Sequence, residues 1–237
     1  MKKLAYVLVD DFMHPSRREL PIIRKMFDLS KWHVCVLKGV DSICLFNGAP
    51  DLVVNFKDGI ENWRMDTPNW YEDPFMYQVA SFVREKGCGY IAVHSGLDHL
   101  PKHHPIRNEL LQAYVQVDEG KPPFFNNMFF PAPNVIPFGC FGDVTVKVLD
   151  KEHPVMKGVE DFKVHDEQYN VVLTEGSTAK VLAQTESERG TSIAVAVNEV
   201  GAGKTAAISV GHLEETLLDT SMITLLRNAV EWCGGAE

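Results

Sequence analysis

Four positions that could do chemistry stand near the ends of apolar runs in this chain. The run at 4–9 leads to His14, and the run at 90–93 stops on His94-Ser95-Gly96. The run at 206–210 leads into Gly211-His212, and His165-Asp166-Glu167 forms a fourth polar cluster. Three histidines (His14, His94, His212) and a carboxylate of the 165–167 cluster have the ligand chemistry for Zn²⁺ or a similar divalent ion. The same set can serve as a general acid–base pair with a positioning carboxylate. No compact signature such as H-E-x-x-H decides between the two, so both stay open from the residues alone. A buried strand that ends abruptly at a polar pair and a glycine suits a parallel sheet, where ligands sit outside the carboxyl ends of the strands.

Nucleophilic and nucleotide chemistry are poorly served. Ala92-Val93-His94-Ser95-Gly96 approximates the G-x-S-x-G elbow, but histidine holds the central place and Ser95 comes one residue late. A cysteine at the centre, with His212-Leu213-Glu214, would suggest a Cys-His-Glu triad. Cys88 instead precedes the strand and is expected to point away from its carboxyl end, so thiol-dependent glutamine hydrolysis is not expected. Gly201-Ala202-Gly203-Lys204-Thr205 imitates a phosphate loop, yet Asn198 stands where the pattern needs glycine, and the loop joins two strands. The turn at 10–16 has no glycine, which excludes the dinucleotide fingerprint. No nucleotide cofactor is therefore expected. Trp63, Arg64, Trp70 and Tyr71 lie among acids and Pro68. They suit stacking on a sugar and, equally, plugging the edge of the fold. His103-His104 reads as a surface pair, because adjacent residues point apart.

The elements that must position these residues follow from periodicity and caps. Strands are expected at 4–9, 32–37, 52–55, 90–93, 144–149, 193–197 and 206–210. A helix beginning near Pro21 buries Ile22, Ile23, Met26 and Phe27. A second is capped by Asp73, opened by Pro74 and closed by Gly87. The last carries Met222, Leu225, Leu226, Ala229, Val230 and Cys233 on one face, with Gly234 as its stop. Strands and helices alternate through residue 94, which predicts a parallel α/β sheet. No linker or repeat divides the chain, so 1–237 reads as one domain. At 121–142 five prolines interleave with six phenylalanines, which predicts an ordered flap or a homo-oligomer interface.

Composition narrows the partners. The chain has 237 residues, 45% hydrophobic and 23% charged, with a net charge of −9. That balance argues against nucleic-acid and anionic-membrane partners. No stretch reaches the roughly 20 apolar residues of a membrane span. The opening run ends in Asp10-Asp11 without a cleavage site, so a cytoplasmic protein is expected. Five scattered cysteines with no C-x-x-C pair point to reduced thiols.

The order of these features resembles the ThuA-like (trehalose-utilisation) family of the class I glutamine amidotransferase-like superfamily. The marks are His14 after the first strand, the run from Gly87 to Ser95, and His153-Pro154-Val155-Met156-Lys157-Gly158. Asp166-Glu167-Gln168-Tyr169, the Gly201–Lys204 turn, Gly211-His212 and Arg227-Asn228-Ala229-Val230-Glu231-Trp232 complete them. The resemblance implies a flavodoxin-like three-layer sandwich with a mostly parallel central sheet and an additional β-rich C-terminal portion. It also implies a role in handling sugars or keto-sugars and a pocket able to take a divalent metal. His14, His94, Glu167 and His212 match the family's polar pocket positions, and Ser95, Trp63, Trp70, Tyr71 and Asp166 are candidate substrate contacts. The chain departs from the family at 121–142 and at Leu97-Asp98-His99. A non-catalytic sugar-binding or regulatory module that lost the amidotransferase nucleophile is the competing reading.

Overall fold

The structure, a computed structural model, describes residues 1–39, 49–60, 69–116 and 141–235. In chain order its strands are β1 (Lys3–Leu8), β2 (Trp32–Leu37), β3 (Leu52–Asn55), β4 (Gly89–Val93), β5 (Ala113–Val115) and β6 (Phe141–Val148). They continue as β7 (Phe162–Glu167), β8 (Val171–Leu173), β9 (Lys180–Ser187), β10 (Gly190–Val200) and β11 (Gly203–Ile208). The α-helices are α1 (Leu20–Met26), α2 (Pro74–Lys86), α3 (Glu214–Leu217) and α4 (Thr220–Gly234).

Nine strands form one sheet in the order β2-β1-β3-β4-β11-β10-β9-β6-β7. The first five are parallel, and the rest extend the sheet by antiparallel pairings. β5 and β8 make a separate two-stranded ribbon. β3 and β4 are buried along their whole length, which is why they read as unbroken apolar runs. One apolar layer joins Ile22, Ile23 and Met26 of α1 to Leu225, Leu226 and Ala229 of α4 against one face of the sheet. The other joins Val79 and Val83 of α2 to Leu110, Leu111, Tyr71 and Tyr90. Helices on both faces of a largely parallel sheet give the expected three-layer sandwich with its β-rich C-terminal portion.

Local chemistry sets the helix ends. Asp73 accepts from the Phe75 amide at 2.8 Å, Pro74 opens α2, and Gly87 ends it in the left-handed region at φ 75°. The last helix runs one residue further than expected. Gly234 is its final turn, and Gly235 at φ 59° is the left-handed cap. β7, β8 and β9 were not expected individually. The stretch at 103–111 contains a short π-helical turn, Ile106–Leu111.

At the end of β4 the chain turns sharply. His94 takes a left-handed φ of 47° in a 3-10 turn, His94–Leu97. Gly96 lies so close to the Asn55 carbonyl that a Cβ would collide with it. Gly96→Ala is therefore expected to cost about 1–3 kcal/mol, read as a lower denaturant midpoint, because β3 and the turn must move apart.

Candidate functional site

Strand polarity brings the four chemical positions to one rim. β1, β4 and β11 run in parallel, so the segments carrying His14, His94 and His212 leave from the same edge. Three antiparallel steps lie between β10 and β7, which returns β7 to the direction of β11. Glu167, its last residue, thus reaches that rim from four strands away in the sheet. His14 Nε2 lies 3.2 Å from His212 Nδ1, and His94 Nε2 lies 3.1 Å from it. Glu167 Oε2 lies 3.3 Å from His94 Nε2 and 2.9 Å from His212 Nδ1.

The outer nitrogens of two rings are already committed. His14 Nδ1–H donates to the Asp11 carboxylate, at 2.8 and 2.9 Å, and His94 Nδ1–H donates to the Ser209 carbonyl at 2.9 Å. A neutral imidazole carries one N–H, so both Nε2 atoms face inward as lone pairs. One proton on His212 Nδ1 can be given to only one acceptor, and three acceptor atoms surround it. A cation satisfies all four. Tetrahedral zinc with bonds of about 2.0–2.1 Å separates its ligand atoms by about 3.3 Å. Four separations here, three of them from His212 Nδ1, are 2.9–3.3 Å, and the ligand nitrogens of His14, His94 and His212 all lie within 4.8 Å of one another. Carboxylate or carbonyl contacts that fix the outer nitrogen are the usual support for metal-binding histidines.

Burial disfavours the charged form of two of the rings. Burial lowers His14 to about 4 despite the pull of Asp11. Burial also lowers His212, with the Glu167 carboxylate opposing it. Burial works against the charge on Glu167, yet its hydrogen bonds to His212 and His94 hold it well below the carboxylate range.

His212 is held by its backbone. Asp166 Oδ2 accepts from the amides of Gly211 and His212 at 2.7 and 3.3 Å, and Oδ1 accepts from Leu213 at 3.1 Å. Gly211, at φ 127°, permits the turn that aims these amides together. Asp166→Ala is expected to cost about 2–3 kcal/mol, measured by urea unfolding, because three backbone donors, one buried and two half-buried, lose their acceptor.

The candidate substrate contacts take other places. Ser95 is fully buried and its hydroxyl donates to the Phe56 carbonyl at 2.5 Å. Trp70 and Tyr71 stack at 4.4 Å in the second core layer. The Trp70 indole donates to the Asp58 carbonyl and the Tyr71 hydroxyl to the Gly96 carbonyl at 2.7 Å. These two aromatics are the plug, not exposed stacking surfaces. Asp166 spends its carboxylate on the 211–213 backbone. Trp63 and Arg64 lie outside the described residues, as does 121–142 apart from Phe141 and Gly142. His103 is exposed, but His104 is fully buried, its Nδ1 accepting from the Ile106 amide at 3.1 Å. The surface reading fails for His104 because it caps the π-helical turn. Cys88 is buried and pushed up to about 12 by that burial, so it is no nucleophile.

Two groups escaped the sequence reading. Asp11 sits three residues before His14, a spacing that could have flagged it as the ring's carboxylate partner. Asp58, Asp98 and His99 form a second cluster, with His99 Nδ1 at 2.8 Å from Asp58 and 3.2 Å from Asp98. Here the His99 Nδ1–H donates to Asp58, while Asp98 Oδ2 and His99 Nε2 are buried without a hydrogen-bond partner. Against its burial, Asp98 and Asp58 raise His99 to about 11, so it is an imidazolium. The only sequence signal was the unusual Leu97-Asp98-His99.

Residues 51–233 match the ThuA family, described as trehalose utilisation. The chain belongs to that family. ThuA-like proteins of known structure share its fold. One from Parabacteroides merdae superposes with a TM-score of 0.69 at 18% identity, covering 100% of this chain and 91% of the other. One from Bacteroides uniformis gives 0.66 at 13%, covering 97% and 90%. A glutamine amidotransferase from Thermotoga maritima gives 0.56 at 13%, covering 98% and 97%. The ThuA chain thus has the amidotransferase-like fold, and His94 stands in the turn after β4. A comparison with the curated proteins finds no match. No helix among the described residues is long and apolar enough to cross a membrane.

Proposed function

We propose that this ThuA-family protein is a metal-assisted enzyme acting on a sugar or keto-sugar derivative. The observation that carries the reading is that the ligand nitrogens of His14, His94 and His212 lie within 4.8 Å of one another, with Glu167 Oε2 at 3.3 and 2.9 Å from those of His94 and His212 and two of the rings aimed by Asp11 and Ser209. His14, His94, His212 and Glu167 would hold a zinc-like divalent ion, which when bound polarises a carbonyl or activates water. Asp11 and the Ser209 carbonyl keep the His14 and His94 lone pairs facing inward. Glu167, held ionised between two rings, would supply the anionic ligand of the set.

The surroundings support a carbohydrate. Phe141, 39% exposed, sets its ring edge-on to His212 at 4.8 Å, offering a face for the C–H side of a sugar ring. Tyr169 stacks on His94 at 4.1 Å and shields the ring from water. A purely sugar-binding role resting on Trp70 and Tyr71 is less well supported, since both are buried.

Turnover of a panel of glycosides and 3-keto glycosides by wild type and His94→Ala tests the proposal. Wild-type turnover that falls by at least ~10²-fold in the variant is expected, the scale of one ion-activating ligand. Equal turnover by the two proteins would remove the site, and binding without turnover would favour the binding module.

A further inference from the structure

His14 and His212 belong to loops far apart in sequence, yet their nitrogens stand 3.2 Å from each other. Something must set that distance. The peptide that carries His212 is gripped on its amide side by Asp166, within its own half of the chain. On its carbonyl side it is gripped from the other loop, where Arg18 Nη1 donates to the His212 carbonyl. Arg18 lies four residues after His14, in the turn that precedes α1, so one guanidinium ties the His14 loop directly to the His212 loop.

The guanidinium is itself held. Arg18 Nη2 donates to Glu19 Oε1 at 3.1 Å, and Glu19 is fully buried. Arg18 is 9% exposed, and neither Arg18 Nε nor Glu19 Oε2 has a hydrogen-bond partner. Burying such a pair is costly and gives little net stability. A carbonyl could be satisfied at lower cost by water or by a neutral donor. The arrangement instead gives direction: a planar fork with one prong on Glu19 and one on the His212 peptide cannot rotate or slide.

We propose that Arg18, oriented by Glu19, is a positioning residue that sets the His14–His212 spacing and thereby the cation affinity of the site. The inference rests on the metal-centre reading above and adds a determinant outside the ligand set. Arg227 provides a control of the same chemistry, since its Nε donates to the Lys25 carbonyl at 2.5 Å on an exposed surface remote from the rim.

The test is a Co²⁺ titration of chelator-stripped protein, read by visible absorption, on wild type, Arg18→Gln, Arg18→Lys, Arg227→Gln and His212→Ala. Arg18→Gln is expected to weaken Co²⁺ binding about 10–100-fold, the range for supporting contacts of a metal site, and to change the absorption band. Arg18→Lys, which can reach the carbonyl but not also Glu19, recovers part of the loss. Arg18→Gln leaves Glu19 buried without its partner and is expected to melt below Arg227→Gln. The double variant Arg18→Gln/Glu19→Gln, which removes that penalty, should show the same loss of Co²⁺ affinity, and wild-type affinity in it would overturn the inference. Wild-type affinity and spectrum in Arg18→Gln would overturn the inference and leave the metal centre standing. No Co²⁺ uptake by wild type, or uptake unaffected in His212→Ala, would overturn both.

Discussion

Replacing His94 by alanine is expected to weaken divalent-ion binding by about 10²–10³-fold. Binding free energies of four-ligand zinc sites run to about 10–16 kcal/mol, so each ligand accounts for roughly 3 kcal/mol or slightly more, and 1.4 kcal/mol is tenfold. His94 is central to the cluster, because its Nε2 lies within 3.3 Å of both His212 Nδ1 and Glu167 Oε2. It also cannot be replaced by a neighbour. Its left-handed φ of 47° and the contact of Gly96 with the Asn55 carbonyl fix where the turn can go. Competition with a chromophoric chelator measures the loss. An affinity within a few fold of wild type would mean that the ring is there for packing.

The second large effect concerns stability. His99→Gln is expected to cost about 3–5 kcal/mol near neutral pH, because it leaves Asp58 and Asp98 buried without their cation. Burial and Asp98 already raise Asp58 to about 6 with His99 in place. The pH dependence has a definite sign. His99 is raised from 6.5 to about 11 in the folded protein, so the folded state binds a proton that the unfolded state releases between those values. The stabilisation is complete below pH 6.5 and is lost as pH rises through 11. Urea unfolding of wild type and His99→Gln should show a gap that is widest near pH 6 and narrows by pH 10. A gap that is constant or grows with pH would show that His99 is not the cation of the cluster.

Much of this molecule was legible in its sequence, and the exceptions have physical reasons. The parallel half could be read because β3 and β4 are buried on both faces and α2 carries a complete set of caps. β7 and β9 pair antiparallel beyond the hairpin of β10 and β11, and their alternation is broken by buried polar residues such as Asp166, Glu167 and Thr185. The four residues that meet at the rim were readable by type, since histidine after a strand is an uncommon way to end one. Their distances were not, because Glu167 arrives from β11 through four antiparallel pairings that local pattern does not encode. Trp70, Tyr71 and His104 misled for one shared reason. Each has a polar atom bonded inside the core (the Trp70 indole, the Tyr71 hydroxyl, His104 Nδ1), and sequence cannot distinguish such an atom from a wet one. Arg18 and Glu19 look like any charged turn until the His212 carbonyl is seen against the guanidinium.

The central claim is that three imidazoles and one carboxylate form a cation centre at this rim. X-ray absorption at the zinc edge, on protein loaded with one equivalent of Zn²⁺, tests it most directly. The predicted first shell is three imidazole nitrogens and one carboxylate oxygen at about 2.0–2.2 Å, with the imidazole signal reduced in His94→Ala. A sulfur shell at about 2.3 Å, or a shell unchanged by His94→Ala, would contradict the account.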